Sequence, residues 1–234
     1  HEFRTPLTII AGTADALSKT LTKNPDDIRM SGILKRNSTR MIKLVGQLLV
    51  FNKLDHDTLS LSVSLCDAGE IIGNVVSAVS FGAAHKGISL SLNGCEEPHV
   101  MWTDADKIDK IMYNLLSNAL KYTEKGGAVE VSVKQVGKED IVSIFQDLNT
   151  SVSNNWLYVA VKDTGVGVEP EMAEKLFGRF YRGASNKQIT GTGIGLYYIR
   201  RLTLLHHGDI KVDSEGVGKG ATFSFAIPSD VSAY

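Results

Sequence analysis

Asn114 and Asn118 stand four residues apart in the run NLLSNALKYT (114–123), and Lys121 and Tyr122 continue the same edge one turn later. Two amides and an ammonium on one stripe, beside an apolar stripe, are an odd choice for a face that only meets water, although a plain polar helix edge has the same spacing. Amide oxygens can ligate Mg²⁺, and a lysine ammonium can neutralise phosphate. A second group is Asp163-Thr164-Gly165-Val166-Gly167, directly after an apolar run. A carboxylate at a strand end followed by two glycines suits a tight turn that a flat ligand can approach, and the ionised Asp163 can accept a hydrogen bond from an exocyclic amine such as that of adenine. An ordinary turn explains the same five residues.

A third group is Gly191-Thr192-Gly193-Ile194-Gly195-Leu196, ahead of an apolar helical run. Glycines at alternate positions opening a helix expose amide N–H groups that can cradle phosphates. The spacing is not G-x-G-x-x-G, and no Lys-Ser/Thr pair follows, so Rossmann and Walker-type sites are disfavoured. Between the second and third groups lies LFGRFYRG (176–183), then a polar stretch of small residues, a composition suited to a glycine-hinged lid anchored by Phe177 and Phe180. Both aromatics suit a core equally well.

The elements that must position these groups follow from periodicity. Phe3, Leu7, Ile10, Ala14, Leu17 and Leu21 form one seam, Asn24-Pro25-Asp26-Asp27 breaks it, and a second seam runs from Met30 to Phe51. Residues 1–56 are therefore expected to be an antiparallel helical hairpin. Its apolar surface exceeds what two helices can cover, so a homodimeric four-helix bundle is the simplest solution. Residues 57–65 read as a linker with a short strand, and 66–234 as an α+β domain. Helices are expected at 67–86 and 104–122, the latter capped by Asp104, and strands at 88–92, 99–102, 128–136, 156–163, 209–213 and 220–227. The polar stretch 137–155 reads as an extended hairpin loop, and His206-His207-Gly208 as a helix end.

Composition sets the outer limits. Hydrophobic residues at 43% and charged residues at 22% suffice for a core, and a net charge of −1 argues against a nucleic-acid-binding domain. Cys66 and Cys95 lie far apart without metal-ligand spacing and are expected to be free thiols. No apolar run approaches the roughly 18 residues of a membrane span, so no direct membrane contact is expected from this segment. Beginning at His1-Glu2 without an initiator Met, the chain reads as a fragment of a longer protein.

The order Asn-x-x-x-Asn, D-x-G-x-G, F-x-x-F, G-x-G-x-G resembles the histidine kinase branch of the GHKL ATPase superfamily, and HEFRTPL (1–7) resembles the HisKA-type H box. The resemblance implies an α/β-sandwich ATP-binding domain of the Bergerat type behind a phospho-acceptor hairpin. It implies ATP and Mg²⁺, with Asn118 and Asn114 as metal ligands, Lys121 at phosphate and Tyr122 packed near the nucleotide. Asp163, Gly165 and Gly167 would shape the adenine pocket, Gly191, Gly193 and Gly195 would close over the phosphates, and Thr222 would lie near adenine. Phe177, Phe180 and Arg182 complete the implied nucleotide-binding set.

His1 is the implied phospho-acceptor, with Glu2 to orient or deprotonate its ring. Thr5, one turn on, would support hydrolysis of a partner's phospho-aspartate. The expected function is autophosphorylation of His1 followed by transfer to a response-regulator receiver aspartate. A GHKL ATPase of the gyrase or chaperone kind typically carries a Glu where this chain has Asn114, and an amide cannot take a proton from water. A nucleotide-sensing dimerisation scaffold without kinase activity is the other alternative.

Overall fold

The computed structural model describes residues 8–10, 12–15, 30–35, 37–39, 41, 60–181 and 193–233. Two compact units divide the chain, His1–Leu59 and Ser60–Tyr234. The described residues up to 41 are all helical, and Lys35 is ion-paired with Asp15. Ala14 is buried, while Ile9, Ile10, Met30, Leu34 and Met41 remain exposed. The break expected at residues 24–27 lies outside the described residues.

In the second unit, β1 (Ser64–Asp67) pairs antiparallel with β3 (Val100–Thr103) as a separate ribbon. Between them run α1 (Ala68–Lys86) and β2 (Ser89–Asn93). Asp67 caps α1, its Oδ1 accepting from Gly69 N at 2.9 Å, and Gly87 ends the helix in the left-handed region at φ 69°. After β3, α2 (Ala105–Tyr122) starts at the expected cap, with Asp104 Oδ1 accepting from Lys107 N. Then follow β4 (Ala128–Gly137), α3 (Lys138–Ile144), β5 (Asn155–Asp163), α4 (Gly195–Leu205), β6 (Asp209–Asp213) and β7 (Ala221–Pro228).

Five strands form one mixed sheet in the order β2-β4-β5-β7-β6, with only β2–β4 parallel. Period-two alternation sends Val129, Val131, Val133, Leu157, Val159, Val161 and Phe225 to the face covered by α1, α2 and α4. Ile72, Ile108, Ile111, Leu116, Ile199 and Leu202 meet them from the helices, all fully buried. This is the expected sandwich. No described helix is long and apolar enough to cross a membrane.

Residues 137–155 depart from the expected extended loop. They hold α3 and a short 3₁₀ turn at Thr150–Val152. Ile141 and Phe145, one turn apart, bury against Trp156 and Ala226 on the sheet face opposite the three helices. Trp156 Nε1 donates to Ser153 O at 3.2 Å, and Ser153 Oγ donates to Asp230 Oδ2 at 2.7 Å. The segment folded because that half of the sheet presents apolar residues needing cover. Trp156→Ala should cost about 3–5 kcal/mol, read as a lowered urea midpoint.

His206 closes α4 and is fully buried; its Nδ1 donates to Leu202 O at 2.8 Å. Burial lowers its pKa, with the Leu202 bond opposing. The unfolded chain therefore takes up a proton here before the folded chain does. The stability contributed by a neutral His206 is complete above about pH 6.5 and is lost as pH falls below that value. Urea midpoints measured from pH 7.5 down to 5.5 should fall, and fall less steeply in His206→Gln.

Candidate functional site

α2 supplies one wall. The 3.6-residue period that buries Ile108, Ile111, Leu115 and Ala119 leaves Asn114, Asn118, Lys121 and Tyr122 half-buried along one edge. Asn118 Nδ2 donates to Asn114 Oδ1 at 3.2 Å. Lys121 Nζ lies 3.2 Å from the Tyr122 hydroxyl and 4.7 Å from its ring centroid. The first turn of α4 faces this edge, since a Cβ at Gly195 would stand 2.8 Å from both the Nδ2 and Oδ1 of Asn114.

The turn after β5 supplies the second wall. Asp163 is 6% exposed, and its Oδ1 accepts from Gly165 N at 2.8 Å. Burial raises its pKa above the ordinary value, while backbone hydrogen bonds from Gly165 and Ala221 pull it back. The turn is fastened to α2, because Val166 N donates to Tyr122 O at 3.2 Å and a Cβ at Gly165 would lie 2.4 Å from that same oxygen. Gly167 sits at φ 69° against Gly216 O, where any side chain would collide.

The Phe177 ring is 3% exposed and edge-on to Phe223, with their centroids 6.5 Å apart, so it belongs to the core. Phe180 differs, with its side chain exposed and its backbone in the left-handed region. A Cβ at Gly193 would lie 2.7 Å from Phe180 C and Tyr181 O, so residues 180 and 193 are neighbours in space. Arg179 Nε donates to the Tyr197 hydroxyl at 3.0 Å, and Arg200 pairs with Glu174 at 3.2 Å, fastening α4 to the segment before residue 181.

Not every expected residue joins this arrangement. The β5–β7 register pairs Lys162 with Thr222 and Asp163 with Ala221. Opposed residues share a face, so Thr222 projects to the side opposite Asp163, and Ala221 occupies the Asp163 face instead. His1, Glu2, Thr5, Arg182 and Gly191 lie outside the described residues. Cys66 and Cys95 are free thiols.

Ser214 was not anticipated. Its hydroxyl donates to Gly220 O at 2.6 Å and accepts from Val168 N at 3.0 Å, tying the 214–220 turn to the 163–168 turn. A serine opening the glycine-rich run SEGVGKG was the available signal. A cavity of about 220 Å³ opens nearby, lined by Val168, Pro170, Ala173, Val212, Asp213 and Ser214. It includes no residue of the α2 edge.

An amide pair, an ammonium, a buried carboxylate acceptor and glycines in close approach thus converge from α2, the β5 turn and α4. Residues 103–231 match the family described as Histidine kinase-, DNA gyrase B-, and HSP90-like ATPase. The chain belongs to this family. Residues 1–57 match the His Kinase A (phospho-acceptor) domain.

Among curated relatives, the chain is 30% identical over 230 residues to "Hybrid signal transduction histidine kinase D" of Dictyostelium discoideum, covering 97% of this chain and 14% of that protein. It is 30% identical over 232 residues to "Sensor protein SrrB" of Staphylococcus aureus (strain MRSA252), covering 97% and 36%. The chain thus spans well under half of either relative. Full-length ShkA, crystallised in complex with AMPPNP, aligns with a TM-score of 0.77 at 26% identity, over 98% of this chain and 44% of that one. The Acinetobacter baumannii histidine kinase AdeS shares the fold at a TM-score of 0.62 and 19% identity, over 98% of each chain.

Proposed function

We propose that this chain binds Mg²⁺–ATP at the α2–β5–α4 site and transfers the γ-phosphoryl group to His1, and that a receiver-domain aspartate of a response regulator then takes it. The observation that carries the reading is the Asn114–Asn118 amide pair beside Gly195. An amide cannot deprotonate water, so the edge where an ATPase base would stand is built for transfer to an external nucleophile. ATP itself is supported by the family match and by the AMPPNP complex of ShkA.

In this reading Asp163 accepts from the adenine amine, and its burial strengthens that bond by excluding competing water. Asn114 and Asn118 present neutral, hard oxygen ligands, and Lys121 balances phosphate charge. Mg²⁺, when held there, neutralises charge developing on the phosphate oxygens. The chain's own contribution is positioning: α2 and α4 hold the amides and glycines rigidly, and His1 offers a ring nitrogen that is neutral near pH 7. Glu2 orients that ring, and Thr5 serves removal of phosphate from the receiver. Arg182 and Gly191 complete the phosphate end.

The apolar residues exposed on the N-terminal helices, among them Met30 and Met41, support pairing of two hairpins as a homodimer. We further propose that this chain is the cytoplasmic piece of a longer, membrane-anchored sensor; the 30% identity to a protein named as a sensor, of which the chain spans 36%, supports the longer sensor. The test is incubation with γ-labelled ATP. Acid-labile, alkali-stable label that disappears in His1→Gln is the expected result. Nucleotide binding without any label would instead favour a nucleotide-sensing scaffold.

A further inference from the structure

Residues 60–63 lead into β1 from the hairpin side of the chain. Their backbone is held by one side chain: Ser62 N donates to Asp104 Oδ2 at 2.8 Å. Asp104 is 2% exposed and does three things at once. Its Oδ1 caps α2 through Lys107 N at 3.2 Å, its Oδ2 pairs with Lys107 Nζ at 3.3 Å, and the same Oδ2 holds Ser62. Lys107 is itself drawn in, bonding Asp106 Oδ2 at 3.0 Å. Burial alone would raise the Asp104 pKa, but the Ser62 N–H and the Lys107 charge outweigh it, so the carboxylate stays ionised and its bonds are charge-assisted.

This node sits at the start of the helix that carries Asn114 and Asn118. Ten residues of helix place it about 15 Å from Asn114, too far to touch a nucleotide there. α2 packs along α4, whose first residue, Gly195, abuts Asn114. The incoming chain is therefore fixed to the far end of a rigid helix pair whose near end forms the site.

We propose that Asp104 is a positioning residue, a latch that fixes the chain entering the ATP-binding unit to α2, so that phosphoryl transfer to His1 depends on the Ser62–Asp104 bond while nucleotide affinity does not. The proposal rests on the histidine-kinase reading above. Its reasoning is that transfer requires the ATP-binding unit to be delivered to the hairpin in a defined way, and the latch removes the freedom of the last residues between them. Nucleotide binding needs no such delivery.

The bond can be broken from either end. Ser62→Pro removes the N–H, fixing φ at residue 62 and restricting Leu61 as well, and leaves Asp104 to cap α2. Asp104→Asn keeps a cap acceptor for Lys107 N and turns a donor toward Ser62. Both variants of the full chain should bind AMPPNP within about twofold of wild type and take label from γ-labelled ATP about tenfold more slowly. The double variant should be no slower than either single one, because the two changes remove one interaction. Amide hydrogen exchange gives a second readout independent of labelling. The Ser62 amide should be protected in wild type and exchange rapidly in Asp104→Asn, with residues 108–120 protected in both.

Wild-type labelling rates in either variant, additive losses in the double, or an unprotected Ser62 amide in the wild type would each overturn the latch. A loss confined to AMPPNP affinity would reduce Asp104 to a helix cap. Label in the wild type and unslowed label in both variants would defeat the latch alone. A wild type that binds AMPPNP and takes no label would defeat the histidine-kinase reading, and the coupling with it.

Discussion

Asp163→Asn should weaken nucleotide binding on the order of a hundredfold without lowering the melting temperature. The carboxylate is buried at 6% exposure and held by backbone donors from Gly165 and Ala221. An asparagine oxygen can keep the Gly165 N–H bonded, so the turn retains that bond. What disappears is the charge, and burial of that charge is the first cause of the raised pKa. A carboxyl whose folded pKa is raised binds a proton more readily folded than unfolded, so its ionised form at neutral pH costs stability.

Removing the ion should leave the melting temperature unchanged or slightly higher. Removing the charged acceptor should weaken AMPPNP binding by about 2–3 kcal/mol, on the order of a hundredfold, measurable by calorimetry. Parallel loss of melting temperature and affinity would show that Asp163 is a structural residue instead.

Asn118→Ala should act on the reaction more than on binding. Its amide is half-buried, bonded to Asn114 Oδ1, and lies one turn from Lys121. Deleting it removes a neutral oxygen ligand from a cation that would clamp the phosphates, an effect worth several kcal/mol in the transition state. Labelling from γ-labelled ATP should slow by about 100-fold or more, and AMPPNP affinity should become less dependent on added Mg²⁺. Unchanged Mg²⁺ dependence would move the metal site off this edge. Asn114→Ala is expected to weaken the site as well by loosening the seat of Gly195, the residue whose Cβ position lies 2.8 Å from the Asn114 amide.

What the sequence made readable was local. The apolar stripe Ile108, Ile111, Met112, Leu115, Leu116 and Ala119 and the Asp104 cap placed α2 within a residue of Ala105–Tyr122, because periodicity and capping lie within one segment. The same spacing put Asn114 and Asn118 on one edge. Non-local partners were not readable. Lys138-Glu139-Asp140 opens a seven-residue helix whose Ile141 packs with Trp156, in the next strand, and with Ala226, far along the chain.

Thr222 shows a finer limit. A motif places a residue in a strand, but the strand's phase against its neighbour decides its face, and one residue of phase exchanges Thr222 for Ala221. Ser62 and Asp104 stand 42 residues apart, and nothing in either neighbourhood announces the bond.

The most direct measurement of the site is backbone amide chemical-shift mapping of the ATP-binding unit titrated with Mg²⁺–AMPPNP. The account predicts the largest shifts at Asn114, Asn118, Lys121, Gly165, Gly193 and Gly195, from three elements at once. Shifts centred instead on Ala173, Val212 and Asp213, at the neighbouring cavity, with the α2 edge silent, would contradict it.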